Sequence, residues 1–270
     1  MLVVIKGAGD IATGIALRLY RARFDIVMTE IARPTAIRRT VSFSEAVHLG
    51  ETTVEGVTAE LVRDAAAARE AVARGRIAVL VDPEAACIRA LKPDSVVDSI
   101  LAKTNLGTRI GDAPVVVAVG PGFTAGADCH AVVETQRGHY LGRVITEGSA
   151  APNTGIPGNI GGYTLERILR APADGVFHPA RSIGDVVQKG DIAGYAGDVP
   201  MRCEIGGVLR GILPEGTPVF KGMKSGDVDP RCKLEHCFSV SDKALAVGGG
   251  ALEAILRLTP RNVVGLRQKI

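Results

Sequence analysis

The sequence has little of what nucleic-acid-binding and membrane proteins need. It contains no tryptophan, only four tyrosines and six phenylalanines, and a formal net charge of +3 spread over dispersed basic residues. Nucleic acids bind to clustered cations and stacking aromatic rings, so this class of ligand is excluded. The sequence also lacks an apolar run of about 18 residues, the length that a membrane-spanning helix needs. We therefore expect neither a nucleic-acid partner nor a membrane partner.

Cysteines are few and odd in number. Five are present, at positions 87, 129, 203, 232 and 237, which is not the pattern of a disulfide framework. The opening residues MLVVIKGAG form a strand-length apolar stretch rather than a secretory signal. Cys232, His236 and Cys237 could be half of a metal site, but no second half with ligand spacing accompanies them. The pattern predicts reduced thiols, a cytoplasmic location and no bound metal.

Apolar residues are abundant and occur in alternating patterns. They make up 46% of the chain, enough for one large core or two moderate ones. From the start to about residue 122, strand-like runs such as LVVIK and VVVAV alternate with helical segments such as DIATGIALRLYRAR. This alternation is typical of a parallel sheet covered by helices. We predict an α/β, Rossmann-like N-terminal domain over residues 1–122.

The loop IKGAGDIATG, between the first strand and the first helix, predicts a nucleotide-binding site. Gly7 permits a tight turn, Gly9 lets the backbone approach a pyrophosphate, and Ala12 allows close packing of helix on strand. Glu30 ends the second strand, where an acid accepts hydrogen bonds from a ribose. The alternative is a loop of the same shape that binds nothing. The residues assigned to the cofactor site are Gly7, Gly9, Asp10, Ile11, Ala12 and Glu30.

Three arginines follow this acid, in the segment ARPTAIRRT. Arginine side chains suit phosphate oxygens because their planar donors can bind two oxygens at once. We expect Arg33, Arg38 and Arg39 to bind an additional phosphate of the same ligand. A solvated basic loop is the alternative for any one of them.

Residues 123–170 form a polar, glycine-rich connecting segment. The alternation in CHAVVETQR would place His130 and Glu134 on one face of a strand, and ionisable groups clustered near glycine turns are typical of a site. One alternative is a metal site built from Asp128, His130 and Glu134, and another is a polar interdomain surface. The residues with candidate catalytic roles are Asp128, His130, Glu134 and His139.

The C-terminal half contains an internal repeat. DGVFHPARSIGDVVQKGDIAG aligns with GGVLRGILPEGTPVFKGMKSG at a shift of 32 residues, which predicts a pseudo-twofold β domain over residues 171–235. The phrase IGDVVQKGD resembles biotinyl and lipoyl carrier domains, and this resemblance implies an all-β barrel-sandwich hybrid. Counting from Gly190 to the carriers' modified lysine reaches Pro200, so we expect no covalent lipoyl or biotinyl group.

Two further features complete the chain. Asp227, Asp229 and Arg231 are expected to form an ion-paired corner. Residues 236–270 form a C-terminal helical segment, with a helix that Ser241 caps and that Gly248–Gly250 loosen.

Several phrases resemble the accessory protein family of selenium-dependent molybdenum hydroxylase systems. They are IKGAGDIATGIALRL, RRTVSFSEAV, GPGFTAGADCHAVVETQRGHYLGRVI, GDVDPR and SDKALAVGGGALEAIL. The resemblance implies a maturation factor whose partner is such a hydroxylase and whose ligand is a molybdopterin dinucleotide-type cofactor. It also makes Cys129, inside the polar segment, a candidate nucleophilic thiol.

Two functions are therefore left open by the sequence. The first is the maturation factor, which binds a nucleotide-bearing or phosphate-bearing cofactor at its Rossmann loop. The second is an NAD(P)-dependent oxidoreductase acting on a small substrate, with His130 or His139 as proton donor. Whether the chain is an enzyme, and whether it forms a homo-oligomer, is not decided by these patterns.

Overall fold

A computed structural model describes residues 1–260, and these residues divide into two compact units. The first unit comprises residues 1–32, 43–153 and 240 onward, and the second comprises residues 33–42 and 154–239. The second unit is thus inserted in the sequence of the first. The segment 123–170 is divided between them, and residues 261–270 of the expected C-terminal helical segment lie outside the described residues.

The first unit is built on a nine-stranded sheet with the order β3-β4-β5-β2-β1-β6-β7-β8-β9. Its strands are β1 Leu2–Lys6, β2 Asp25–Glu30, β3 Glu51–Val54, β4 Val57–Val62, β5 Ile77–Val81, β6 Ser95–Asp98, β7 Val115–Val119, β8 Ala131–Val133 and β9 Val144–Ile145. Its helices are α1 Asp10–Arg21, α2 Ala46–Leu49, α3 Ala65–Ala73, α4 Cys87–Leu91 and α5 Asp242–Leu258. Short 3-10 turns cover Phe43–Glu45 and Ile110–Asp112.

The central strands of this sheet are parallel. β1 lies between β2 and β6, with Ile5 opposite both Met28 and Val97. These strands are apolar on both faces because helices cover the sheet: α3 and α4 pack their alanines and Leu91 against Val4 and Val96. Antiparallel pairs close the two edges, β3 with β4 and β8 with β9.

Helix α5 is held against α1 and against the turn before β9 by glycines. A Cβ atom on Gly14 would lie 2.6 Å from the Ala244 Cβ atom, and one on Gly248 would lie 2.7 Å from the Gly14 oxygen. A Cβ atom on Gly250 would overlap the carbonyl oxygen of Gly142. The expectation that Gly248–Gly250 loosen the helix is therefore wrong, because two of these glycines lie in tight contacts. Ser241 caps α5 as predicted, since its hydroxyl accepts a hydrogen bond from Ala244 N at 3.2 Å.

The second unit consists of two four-stranded sheets, with the orders β10-β17-β15-β12 and β14-β13-β11-β16. The strands are β10 Ile168–Arg170, β11 Gly175–Pro179, β12 Val186–Val187, β13 Ile192–Ala196, β14 Val199–Arg202, β15 Gly207–Ile212, β16 Thr217–Val219 and β17 Lys224–Asp229. All their pairings are antiparallel. Short 3-10 turns cover Arg39–Val41 and Leu234–Cys237.

The internal repeat is visible in the strands. β11 and β15 begin 32 residues apart, and so do β13 and β17. Strands β11, β12 and β13 alternate between the two sheets, and β15, β16 and β17 alternate in the opposite sense. Each repeat thus supplies strands to both sheets, and buried side chains such as Phe177 and Leu209 share one core.

The expected biotinyl-like or lipoyl-like barrel-sandwich hybrid is wrong as a description of this unit. The strands form two separate sheets, and β10 and the segment 33–42 join the unit from outside residues 171–235. The position that corresponds by count to the carriers' modified lysine, Pro200, is also not at a hairpin tip. It lies inside β14, and the turn between β13 and β14 consists of Gly197 and Asp198. The absence of a covalent lipoyl or biotinyl group stays a prediction.

A buried ionic network fixes strands β15 and β17. Asp227 is 1% exposed and accepts hydrogen bonds from Arg167 and, at 2.7 Å, from Arg210 Nε. Asp229, equally buried, accepts from Arg231 Nη2 at 2.6 Å and from Arg231 Nε at 2.9 Å, which confirms the ion-paired corner. Burial alone would raise the pKa of Asp229, but hydrogen bonds from Arg231 and the charge of Arg210 outweigh it and hold that pKa well below its usual range.

We expect Gly250→Ala to lower the free energy of unfolding by about 1 to 3 kcal/mol, because the added methyl group overpacks the contact with Gly142. Gly249→Ala is the matched control, since a Cβ atom there meets nothing within 4 Å. It should raise stability by about 0.5 to 1 kcal/mol, because alanine favours a helix interior over glycine. Urea unfolding measures both, and equal changes in the two variants would contradict the packing account.

Asp229→Asn should lower the free energy of unfolding at pH 7 by about 3 to 5 kcal/mol, since it breaks a buried ion pair. The depressed pKa contributes stability above the unfolded value of about 3.9, and this contribution is lost as pH falls towards the folded value. The difference between native protein and variant should therefore shrink below about pH 4. Asp198→Asn, at an exposed turn, is the control and should stay within about 0.5 kcal/mol. A pH-independent difference would show that the Asp229 charge is not responsible.

Candidate functional site

The candidate site lies at the carboxyl ends of β1 and β6. Within the sheet, β1 has β2 as its neighbour on one side and β6 as its neighbour on the other. The chain passes from β1 to β2 and reaches β6 only later. Open α/β sheets bind ligands in the crevice at such a switch point, because the loops leaving the two strands diverge there. The loop Gly7–Gly9 follows β1, and the loop of residues 99–109 follows β6.

The loop after β1 has the geometry that its glycines predict. Gly7 has a φ of +91°, and a Cβ atom there would lie 2.9 Å from the Ser99 oxygen. Gly9 faces open space, since a Cβ atom there would meet nothing within 4 Å. Gly9 is the N-cap of α1, and no side chain caps that helix. The first backbone N–H groups of α1 thus lie beside open space.

The start of α1 is anchored below this loop. Ile11 and Ala12 are buried, as close helix–strand packing requires. The Thr13 hydroxyl accepts a hydrogen bond from Phe43 N at 2.8 Å. Asp10, in contrast, is half-exposed and places a carboxylate in the first turn of the helix.

Glu30 contacts the same loop. Its carboxylate accepts hydrogen bonds from Ala8 N at 3.0 Å and from Ile31 N at 2.8 Å. Burial raises the pKa of Glu30, and these two hydrogen bonds partly offset that increase. The carboxylate is therefore positioned beside the loop, and its role toward a ribose stays a prediction.

A buried polar chain, which was not predicted from the sequence, lies at this edge of the sheet. Lys6 Nζ donates to Thr108 Oγ1 at 2.6 Å, and Thr108 Oγ1 donates to Asp98 Oδ2 at 2.5 Å. All three residues are buried, so they tie the end of the 99–109 loop to β1 and β6. The available signal was a charged residue ending each of two apolar strands, LVVIK and SVVD.

The loop after β6 also carries unusual backbone. Leu101 and Lys103 have φ values of +61° and +65°, and Lys103 is exposed. A Cβ atom on Gly122 would lie 2.7 Å from the backbone of Lys103 and Thr104, so the loop after β7 holds this conformation by close contact. Left-handed residues other than glycine are uncommon and cluster at functional sites. Ser99, 4% exposed, has a hydroxyl without a hydrogen-bond partner among residues 1–260.

Asp128 belongs to the framework of these loops. Its carboxylate accepts hydrogen bonds from Thr124 N at 2.8 Å and from Asn105 Nδ2 at 3.2 Å. Asn105 in turn accepts from Thr108 N at 2.8 Å. The carboxylate therefore joins the loop after β7 to the loop after β6.

The other candidate catalytic residues are not brought together. His130 lies beside the start of β7, where its Nδ1 accepts a hydrogen bond from Val116 N at 3.0 Å. Glu134 lies beyond the other end of β8, about 13 Å away at the rise of a strand. Its carboxylate accepts from the N–H groups of Thr135, Gln136 and Ala151. His139 is exposed, with its ring 5.0 Å from that of Tyr140.

Cys129 is a core residue. Its side chain is fully buried among apolar groups. Burial and the neighbouring Asp128 carboxylate raise the pKa of its thiol to about 11. Burial and the raised pKa count against the expected nucleophilic role, because the thiolate is the reactive form and it is disfavoured here. That role stays a prediction.

The three arginines belong to the second unit. Arg38 Nη2 donates to the carbonyl oxygens of His236 and Ser239 at 2.9 and 3.2 Å, and Arg39 Nε donates to the Ile212 oxygen at 3.1 Å. Arg33 is exposed. The donors of Arg38 and Arg39 thus connect the segment 33–42 to the strands and turns of its own unit, and binding of phosphate by the trio stays a prediction.

Among residues 1–260, no group of three or more histidine, cysteine, aspartate or glutamate side chains is arranged to hold a metal ion. None of the described helices combines the length and the apolar character that a membrane crossing requires.

No protein-family model matches the sequence. A curated relative, named Uncharacterized protein YqeB of Escherichia coli (strain K12), is 52% identical over 267 residues. The match covers 99% of this chain and 49% of that protein, so the chain spans about half the length of the curated relative.

Similar solved structures are named after acylases. An aspartoacylase family protein of Mesorhizobium loti is 13% identical with a TM-score of 0.29, and a succinylglutamate desuccinylase/aspartoacylase of Rhodobacter sphaeroides is 15% identical with a TM-score of 0.27. Each match covers 84% of both chains. The Ectoine utilization protein EutE (DoeB) of Ruegeria pomeroyi is 18% identical with a TM-score of 0.22, over 31% of this chain and 27% of that one. TM-scores this low carry no argument for acylase activity in this chain.

These comparisons overturn the expected family. None of the names points to a selenium-dependent molybdenum hydroxylase system, so the resemblance to its accessory proteins, the maturation role and the hydroxylase partner are wrong. The NAD(P)-dependent oxidoreductase is corrected as well, since none of the similar proteins is named as an oxidoreductase. None of them is named as a biotinyl or lipoyl carrier either.

Thiol labelling at pH 8 tests the position of Cys129. We expect one thiol per native chain to react with a disulfide reagent, because Cys232 is exposed whereas Cys129, Cys203 and Cys237 are buried and burial raises the pKa of Cys87 to about 12. Cys232→Ser should abolish the reaction, and Cys129→Ser should leave it unchanged. Loss of labelling in Cys129→Ser would restore that thiol as a reactive group.

Proposed function

We propose that the first unit binds a phosphate-bearing ligand of the nucleotide class at the carboxyl ends of β1 and β6. The observation that carries the proposal is the open start of α1 at the switch point of the sheet. No side chain caps this helix, and Gly9 leaves open space before it. The first N–H groups of any α-helix have no acceptor within that helix, and together with the helix dipole they favour an anion at this position.

Lys103 supplies the cation that this site needs. Asp10 adds a negative charge to the first turn of α1, and that charge opposes an anionic ligand. The neighbouring loop after β6 presents Lys103 on its surface, in a backbone conformation fixed by the close contact with Gly122. A lysine on this loop would offset the charge of Asp10 and favour a charged phosphate over a neutral group.

Two further groups favour a nucleotide over free phosphate. The Glu30 carboxylate lies at the Ala8 N–H group and keeps lone pairs for the hydroxyl groups of a ribose. The Ser99 hydroxyl, unpaired beside Gly7, would gain a partner from a ligand that enters the crevice. The five side chains with candidate catalytic roles are not assembled here, so the proposal assigns binding and no reaction. A cytoplasmic location belongs to the proposal and is supported by the five free thiols.

Fluorescence titration with a methylanthraniloyl derivative of ADP tests the site, with sodium pyrophosphate as competitor and adenosine as phosphate-free reference. We expect Gly9→Val to lower the affinity for both phosphate-bearing probes by about 3 kcal/mol or more, because its side chain displaces at least two hydrogen bonds to phosphate. Gly111→Val is the matched control, since Gly111 also faces open space. Absence of binding by every probe, or equal affinity in the two variants, would remove the site.

Lys103→Met is the second variant in this experiment. It should weaken the phosphate-bearing probes by about 1.5 to 3 kcal/mol, the cost of one charged hydrogen bond, without changing the response to adenosine. Lys92→Met is its control, because Lys92 is also exposed and left-handed, with a φ of +47°, but precedes β6 rather than following it. Equal losses in the two lysine variants would assign the effect to net charge.

A further inference from the structure

A second candidate site lies between α5 and the turn before β9. His139, Tyr140, Arg143 and Glu253 line an open depression of about 510 Å³. This volume is within the range of small-molecule sites. Apart from the rings and guanidinium that contact each other, no hydrogen bond or ion pair engages these four side chains within residues 1–260.

The backbone under this depression is held by hydrogen bonds and by close packing against α5. Gly142 N donates to the backbone carbonyl oxygen of Glu134 at 2.9 Å, and Arg143 N donates to that of Tyr140 at 2.9 Å. Gly142 has a φ of +81°, and a Cβ atom there would lie 2.6 Å from the Ala246 oxygen of α5. The side chains that line the depression are thus presented by a turn that is pressed onto the helix carrying Glu253.

The cation of the site is held in position by an aromatic ring. The Arg143 guanidinium lies 4.6 Å from the centre of the Tyr140 ring, which is itself 56% exposed. His139 contacts the same ring edge-on, at an interplanar angle of 83°. A stacked guanidinium keeps its N–H edge free, and this edge matches the two oxygens of a carboxylate.

The charges at the site select the class of ligand. Arg143 provides a fixed positive charge and Glu253 a negative one, both on the same depression. A phosphate dianion would be repelled by Glu253, and a simple cation would be repelled by Arg143. We infer that the depression binds a zwitterion of the α-amino acid type, with its carboxylate on Arg143 and its ammonium group on Glu253. The site shares no residue with the proposed phosphate site and does not depend on it.

Saturation-transfer NMR on the full chain tests this inference, with an equimolar mixture of the twenty common amino acids and with sodium acetate and methylammonium chloride as singly charged references. We expect transfer to at least one amino acid and weaker transfer to both references. The dissociation constant of that amino acid should rise roughly tenfold or more in Arg143→Met and in Glu253→Gln, since each variant removes one charged contact. Arg257→Met, an exposed change on the same helix, should leave it unchanged.

Three results would overturn the inference. They are absence of transfer to every amino acid, transfer to acetate or methylammonium as strong as to the amino acids, and native affinity in both Arg143→Met and Glu253→Gln. Both side chains are exposed and make no hydrogen bond within the described residues, so these variants should unfold at the temperature of the native protein, and thermal unfolding checks this.

Discussion

The close approach of α5 to α1 is the contact on which the first unit depends. Gly14 of α1 and Gly248 of α5 let the two helices approach so closely that a side chain at either position would overlap a neighbour. Because α1 is fixed in this way, its first turn has one position relative to the ends of β1 and β6. Helix α5 also packs against the turn that carries Arg143, so both candidate sites depend on contacts of this one helix.

The polar groups of the first unit have two kinds of role: some hold the framework in place, and others are exposed where a ligand can bind. Those expected to act, including Glu134, Asp128 and His130, bond to backbone N–H groups and hold loops or strand ends in place. Others fix the crevice from below, through the buried chain from Lys6 to Asp98. Groups left to meet a ligand are the open end of α1 and exposed side chains such as Lys103 and Arg143. Three members of the ionisable cluster in the sequence therefore lie in the framework of the loops and strand ends, and their catalytic roles stay predictions.

Sequence patterns that span a few residues predicted the strands and helices that form over the same residues. The segment LVVIK forms β1, and DIATGIALRLYR forms α1 with Gly9 as its N-cap, because alternation and glycine spacing act over a few residues. Strand β3 pairs with β4 across the two-residue turn of Glu55 and Gly56, a local hairpin signal that the strand predictions did not use. The pairing of β7 with β8 crosses an intervening loop and had no such signal. For the same reason Gly250 was expected to loosen its helix, whereas it lies in close contact with the backbone of Gly142. The partners of Arg38 could not be predicted from its local sequence, because the carbonyl oxygens that it binds lie about 200 residues further along the chain.

The insertion of the second unit has a consequence for synthesis on the ribosome. Helix α1 emerges early, but α5 emerges only after residues 154–239 have been made. Contacts between segments so far apart in sequence form slowly, because closing the intervening loop costs chain entropy. Domains usually complete in the order of their synthesis. In this chain the second unit can close once the residues up to 239 are available, whereas the first must wait for its own last helix.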